Sequence, residues 1–192
     1  MFKVASKAAI FLAALAFLFA CSPKLNWRTV QSPEQRYTAL FPGKPDKLER
    51  RISYQDEELL QTLEAVKIDD DIYSISSIQL PANQSSEKMI AQLKTNLLER
   101  AKASGGSVVV EDAFYKVANN QRLPTQDFFI AFSANGKVQQ TMRVRWITRL
   151  MDNGANWIYQ ISVLHASSNA AEAKFLFSQE EYSNFFNEFR PE

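Results

Sequence analysis

Apolar and polar residues alternate with a period of two along most of the chain, a pattern typical of half-buried β-strands. Nine segments show this alternation: residues 27–30, 37–41, 50–54, 59–68, 72–80, 108–117, 126–133, 138–149 and 157–165. Asn135-Gly136 and Asp152-Asn153-Gly154 stand between the last three segments, and such residues accept the positive φ of a tight hairpin. These short links exclude parallel winding and predict an antiparallel sheet, in which the first five strands form a meander.

Two other segments have apolar residues at helical spacing. The first helix is predicted to be capped by Ser85 or Ser86 and to end at Gly105-Gly106. The second is predicted to begin at Ser178, which forms a capping box with Glu181. The chain is therefore predicted to be an α+β protein, with an antiparallel sheet of about seven to nine strands flanked by two main helices. The apolar stripes of the helices are Ile90, Leu93, Leu97 and Ala101, and Tyr182, Phe185, Phe186 and Phe189.

The N-terminus does not follow this pattern. A short head with Lys3 and Lys7 precedes an uncharged apolar run over residues 8–20, which is the layout of a signal peptide. As a helix this run is roughly 20 Å long, too short for a hydrocarbon core of about 30 Å. Residues 1–20 are therefore predicted to be a signal peptide rather than a permanent membrane span.

The end of the apolar run, Leu18-Phe19-Ala20-Cys21, resembles the lipobox of bacterial lipoproteins. The resemblance implies cleavage before Cys21 and attachment of lipid to its thiol. Ser22 after the cysteine favours the outer membrane of a Gram-negative bacterium, facing the periplasm. Residues 21–26 then form a short lipidated tether, and residues 27–192 form a single domain held close to the bilayer. The alternative is an ordinary cleaved signal peptide or a short membrane anchor.

Charge and residue counts narrow the function classes. The chain has 22 Lys and Arg against 21 Asp and Glu. Loss of Lys3 and Lys7 leaves the mature part close to neutral, which argues against nucleic acid as a partner. Cys21 is the only cysteine and His165 the only histidine. A zinc site would therefore lack ligands, and cysteine-based catalysis would lack a free nucleophile. We interpret His165 as structural, and expect no metal, no cofactor and no enzymatic activity.

Three segments resemble the PsbP-like superfamily, which includes DcrB-like bacterial lipoproteins. They are Trp27 with Ser32-Pro33-Glu34-Gln35-Arg36-Tyr37, then Phe41-Pro42-Gly43-Lys44-Pro45, and finally Phe185-Phe186-Asn187-Glu188-Phe189. The resemblance covers nearly the whole mature chain. It implies an antiparallel sheet flanked by helices that serves as a binding or assembly module, and it transfers no functional residue.

One candidate binding surface stands out on the strand over residues 138–149. Val144 and Trp146 alternate there with Arg143, Arg145 and Arg149, which predicts one buried face and one face of three arginines. Guanidinium groups suit carboxylates or phosphates, such as lipid headgroups or an acidic partner. We favour the alternative that these arginines pair across strands with Glu111 and Asp127.

Other candidate sites have simpler interpretations. Asp69-Asp70-Asp71 lacks the spacing of a calcium loop and is interpreted as a solvated turn. The chain is thus expected to be a lipid-anchored, non-enzymatic binding or accessory module for an envelope protein. One alternative is a carrier that holds an apolar or lipid-like ligand against Phe185, Phe186 and Phe189. A remote one is a serine hydrolase using Ser85 or Ser86 with Lys88, which we interpret instead as a helix cap beside a solvated lysine.

Overall fold

A computed structural model describes residues 25–117, 119–166 and 173–192. The predicted signal peptide, Cys21 and the first part of the tether lie outside the described residues. Within the described ranges, no helix is both long and apolar enough to cross a bilayer.

The described residues form ten strands, three α-helices and one short 3-10 turn over Pro33–Gln35. The helices are α1 (Ser86–Ala103), α2 (Ala173–Phe177) and α3 (Glu180–Asn187). The strands are β1 (Arg28–Ser32), β2 (Tyr37–Phe41), β3 (Asp46–Tyr54), β4 (Glu57–Ile68), β5 (Asp71–Leu80), β6 (Ser107–Lys116), β7 (Arg122–Ala134), β8 (Lys137–Leu150), β9 (Asn156–His165) and β10 (Arg190–Pro191).

The described strands form a large sheet of seven and a small sheet of three, and all pairs are antiparallel. The large sheet has the order β3-β4-β5-β9-β8-β7-β6. Helix α1 leads from β5 to the far edge at β6, and the chain then returns strand by strand until β9 pairs with β5. The antiparallel architecture is confirmed.

The prediction of one five-strand meander is wrong, because β1 and β2 leave the large sheet and pair with β10. The proline-rich turn after β2 makes this break. Two prolines there withhold backbone donors, so the turn cannot continue a strand ladder. Gly43 packs against β4, where a Cβ would lie 3.1 Å from Val66 Cγ2. This turn therefore leads the chain from β2 of the small sheet to β3, at the edge of the large sheet.

The large sheet is covered on both faces. Helix α1 packs on one face, where Ile90 and Leu93 contact side chains such as Ile158, Phe128 and Trp146. On the other face the small sheet lies over β4, β5 and β9, helix α2 lies over β7 and β8, and helix α3 contacts β6 and β9. The central strands are thus buried on both sides, as in a three-layer arrangement.

An aromatic core joins the small sheet, α3 and the large sheet. Tyr37 of β2 lies edge-on to Tyr159 of β9, with ring centroids 5.9 Å apart, and Phe189 contacts both rings. The Tyr159 hydroxyl donates to the carbonyl oxygens of Gln35 and Arg36 at 2.9 Å. These bonds hold the 3-10 turn on the large sheet, since a buried hydroxyl needs an acceptor.

A buried carboxylate makes a second connection between the sheets. Glu64 of β4 accepts hydrogen bonds from the hydroxyls of Ser32 and Tyr37 in the small sheet. Burial raises the pKa of the Glu64 carboxyl, and the Ser32 hydrogen bond opposes this shift. The small sheet is therefore attached by polar as well as aromatic contacts.

The predicted helices differ from the observed ones mainly at the C-terminal end. Ser85 caps α1 by accepting from the Lys88 backbone N–H at 3.2 Å, which confirms one of the two predicted caps. The predicted capping box of Ser178 and Glu181 is wrong. The Ser178 hydroxyl donates instead to the Phe175 carbonyl at 2.8 Å and closes α2, a helix that the sequence pattern did not predict. Gln179 is the N-cap residue of α3.

Gly106, which lies between α1 and β6, approaches the backbone of β7 closely, and its replacement tests this contact. A Cβ at Gly106 would lie 1.8 Å from the Ala131 carbonyl oxygen of β7, so Gly106→Ala forces the backbone apart. We expect a loss of about 2–3 kcal/mol in the free energy of unfolding, measured by urea denaturation. The control is Gly105→Ala, where φ is +72° and nothing lies within 4 Å of the new Cβ. Its loss should be only about 1 kcal/mol. Equal losses for the two variants would contradict this close approach.

Candidate functional site

The most polar part of the core is built around Asp127 of β7. Arg145 Nε donates to Asp127 Oδ1 at 2.6 Å and Arg145 Nη2 donates to Oδ2 at 2.8 Å, so the pair is bidentate. Arg143 also donates to Oδ2, from Nη2 at 2.6 Å and from Nε at 3.1 Å. Arg143 is 7%, Arg145 2% and Asp127 3% exposed. One carboxylate thus holds two guanidinium groups inside the protein, and we call these three residues the Asp127 cluster.

Further hydrogen bonds from the two arginines reach the C-terminal helices, and one from Arg145 Nη1 reaches the Phe114 carbonyl of β6 at 3.2 Å. Arg143 Nη1 donates to the Phe177 carbonyl at the end of α2, at 2.8 Å. Arg145 Nη1 donates to the Phe186 carbonyl in the last turn of α3, at 3.1 Å. Arg143 also lies on the Phe186 ring, with its guanidinium carbon 4.1 Å from the ring centroid. Cations are favoured at helix C-termini, so the cluster attaches both helices to the sheet.

The electrostatics of the cluster follow from this geometry. Burial tends to raise the pKa of the Asp127 carboxyl, but the hydrogen bonds and charges of Arg145 and Arg143 outweigh burial and lower the pKa. Burial lowers the pKa of Arg143, opposed by the charge of Asp127. The folded state therefore keeps Asp127 ionised against two cations.

The prediction of an arginine surface is wrong for Arg143 and Arg145, because both faces of β8 are covered and both side chains are buried. The alternative of cross-strand pairing with Asp127 is confirmed. For Glu111, the structure gives an electrostatic interaction with Arg143. Of the three predicted surface arginines, Arg149 alone remains partly exposed.

The prediction of apolar ligand contacts at Phe185, Phe186 and Phe189 is also wrong. All three side chains have no accessible surface, so no ligand-sized space adjoins them. Phe185 packs against Phe41 and Tyr73 instead, with ring centroids 5.2 and 5.3 Å away. The aromatic side chains of the predicted stripe thus pack against other rings of the protein.

The remaining candidates have structural roles. The Ser85 hydroxyl caps α1 and donates to Glu87 at 2.8 Å, while Lys88 is exposed, as the helix-cap interpretation predicted. His165 Nδ1 lies 2.6 Å from Asp71 Oδ1, and the Tyr182 hydroxyl donates to Asp71 Oδ2 at 2.9 Å. Asp71 therefore connects β9 with α3 and is only partly solvated, so the interpretation of a solvated turn holds for Asp69 and Asp70 but not for Asp71.

An open cleft surrounds Arg149 at the end of β8. It has a volume of about 610 Å³ and lies between the 3-10 turn and the β8–β9 hairpin. The lining residues include Arg36, Gln79, Arg149, Asp152, Trp157 and Glu192. Trp157 is the cross-strand neighbour of Arg149, and it stacks on Tyr159 with ring centroids 6.1 Å apart. A rigid aromatic floor thus supports the arginine.

Arg149 is the least satisfied polar group of this cleft. Its Nε is buried and has no hydrogen-bond partner among the described residues. By contrast, Glu34 in the same cleft is paired with Lys47 at 2.8 Å, and Glu192 accepts a hydrogen bond from Thr38 at 2.7 Å. A buried donor without an acceptor costs about 1–3 kcal/mol, so the Nε of Arg149 is held at an energetic cost, while the side chain as a whole is partly exposed.

Arg36, at the rim of this cleft, was not identified as a candidate from the sequence. Its φ is +57°, in the left-handed region that non-glycine residues rarely adopt. The Arg36 carbonyl accepts bonds from the Tyr159 hydroxyl and the Glu192 backbone N–H, which maintain this conformation. The one signal in the sequence was Pro33, because prolines mark tight turns such as the one over Pro33–Gln35 that precedes Arg36.

Elsewhere in the described ranges, no three His, Cys, Asp or Glu side chains are arranged to hold a metal ion. No family model matches the chain, and no curated protein matches it either. The resemblance to PsbP-like proteins therefore stays a prediction.

Replacing Asp127 tests the cluster. Asp127→Ala leaves two buried guanidinium groups without a counter-charge, and we expect a loss of about 3–5 kcal/mol in the free energy of unfolding at neutral pH. Asp112→Ala, on exposed β6, should change it by about 0.5 kcal/mol or less. Because Asp127 has a lowered pKa in the folded state, its contribution is present above the unfolded pKa of about 3.9 and is lost as pH falls.

Urea denaturation between neutral and acidic pH measures this contribution. The wild-type chain should lose more stability on acidification than Asp127→Asn, which has no carboxyl to titrate at that position. Parallel losses in the two proteins, or equal stability of Asp127→Ala and Asp112→Ala, would contradict the role given to the cluster.

Proposed function

We propose that the chain is a PsbP-like lipoprotein, anchored through Cys21 to the outer membrane and facing the periplasm, that acts as a non-enzymatic binding or accessory module for an envelope protein. The signal-peptide pattern and the lipobox resemblance support the anchor. The observation that carries the binding role is the open cleft lined by Arg149, whose side chain is partly exposed.

The lining of the cleft favours a polypeptide segment as ligand. Five lining side chains carry formal charge of both signs, from Glu34, Arg36, Arg149, Asp152 and Glu192. A peptide offers donors and acceptors together, whereas a hydrocarbon chain would desolvate these charges without compensation. A carboxylate matches the two-pronged donor geometry of a guanidinium. We therefore propose that an acidic residue of the partner binds at Arg149.

The carrier alternative has little support from this geometry. This alternative places the ligand against Phe185, Phe186 and Phe189, whose side chains are fully buried. The hydrolase alternative is equally weak, since the Ser85 hydroxyl is engaged at the start of α1. Neither has an observation of the structure in its favour.

Site-specific photocrosslinking in cells tests the binding role. A photoreactive amino acid replaces Leu150, which is 64% exposed and lines the cleft. The control position is Leu48 on β3, which is 61% exposed and does not line this cleft. We expect a discrete crosslinked protein from position 150 and none from position 48, identified by mass spectrometry. The crosslink should weaken several-fold in an Arg149→Gln background. The absence of any crosslink at 150, or the same products from both positions, would count against the cleft.

The anchor is tested separately. Cys21→Ala removes the thiol that would carry lipid, so the protein should move from the membrane fraction to the soluble fraction while the far-UV circular dichroism of the purified domain is unchanged. Cys21→Ser is a second variant with the same expected result. Membrane retention of both variants would contradict lipid anchoring at this residue.

A further inference from the structure

The two edges of the large sheet differ in composition. The β3 edge carries Asp46, Lys47, Glu49, Arg50 and Arg51 within nine residues, which is a common protection against edge-to-edge pairing. The β6 edge begins instead with Val108, Val109 and Val110, which are 37%, 48% and 46% exposed. Among the described residues, no strand pairs with the outer side of β6. The charges of β6 come only after these valines, at Glu111, Asp112 and Lys116, so the first part of the β6 edge lacks the protection of the other edge.

Strand β6 is also regular. All ten of its residues pair in continuous register with β7, from Ser107 opposite Ala131 to Lys116 opposite Arg122. The neighbouring β7–β8 ladder, by comparison, is interrupted by a bulge between Phe132 and Ser133. A bulge or proline would twist a strand edge away from a partner, and β6 has neither. Its outer backbone groups form a straight template for another strand.

We propose that two copies of this chain pair through β6, antiparallel about a two-fold axis at Val109. In this register Val109 of one copy lies opposite Val109 of the other, and Val108 lies opposite Val110. The exposed valines then contact one another as cross-strand pairs, and the two sheets become one continuous sheet. This proposal is independent of the ligand of the cleft.

Charge disfavours the registers that are shifted toward the C-terminal end of β6. Pairing centred on Glu111 would place two carboxylates directly opposite each other, and pairing centred on Val110 would oppose Glu111 to Val109. In the register centred on Val109, Glu111 lies opposite Ser107, whose hydroxyl can donate to a carboxylate. Asp112 then lies opposite Gly106, which has no side chain. The second copy thus covers the apolar positions of β6 without placing the carboxylates of the two copies opposite each other.

Cysteine crosslinking of the full-length protein in its membranes tests the register. Val109→Cys should give a covalent homodimer with a short bifunctional thiol reagent. Chains with Val108→Cys and Val110→Cys, produced together, should crosslink to each other more strongly than either does alone. Leu48→Cys on the β3 edge and the wild-type chain, which has only Cys21, are the controls and should remain monomeric on the gel.

A second measurement does not depend on crosslinking. Val109→Lys places two like charges on the two-fold axis, so detergent-solubilised protein should shift from dimer to monomer in sedimentation velocity, with unchanged circular dichroism. Leu48→Lys should leave the dimer intact. A wild-type monomer at micromolar concentration, a crosslink from Val109→Cys only to a different protein, or equal crosslinking at positions 48 and 109 would each overturn the proposal.

Discussion

The architecture depends on one buried carboxylate. Asp127 lies on β7, the strand next to the β6 edge of the large sheet, and both arginines that surround it bind the helix termini on the same face. Buried cations are tolerated only when their donors are satisfied, and here the carboxylate and the helix carbonyls satisfy them. The position of α2 and α3 is thereby defined by directional bonds as well as by apolar contact. The rings of Phe185 and Phe186 could otherwise pack against the sheet in several ways.

The sequence predicts the strands and helices better than it predicts what packs against them. Strand β2 was predicted at its observed bounds, and Asn135-Gly136 forms its hairpin with φ of +53° and +72°. Alternation also placed Val144 and Arg145 correctly on opposite faces of β8. It could not show that both faces are covered, because coverage depends on helices that are distant in the chain. Cross-strand pairing with Asp127 was predicted correctly, but the arginine face of β8 was therefore still expected to be open to solvent.

The sequence did not predict the cleft, for a similar reason. Arg36, Arg149 and Glu192 come from three distant parts of the chain and meet only because the small sheet folds over β9. No local pattern distinguishes Arg149 from its buried neighbours, since all three arginines of β8 have the same phase. The difference arises at the strand end, where β8 extends past the helices toward the hairpin. Two of these arginines are buried in the Asp127 cluster, and the third is partly exposed in the cleft.

The pairing of β10 with β2 has a consequence for the order of folding. Strands β1 and β2 alone make a two-stranded ribbon, which is marginal in water, and their third strand begins only at Arg190. The large sheet needs no residue beyond His165. During synthesis, in which the chain emerges from its N-terminal side, the small sheet can form only after the last segment, when the large sheet already has all its strands. The aromatic rings beneath the small sheet are thus the last to leave water, and this interval is when the protein is most exposed to aggregation and to proteases.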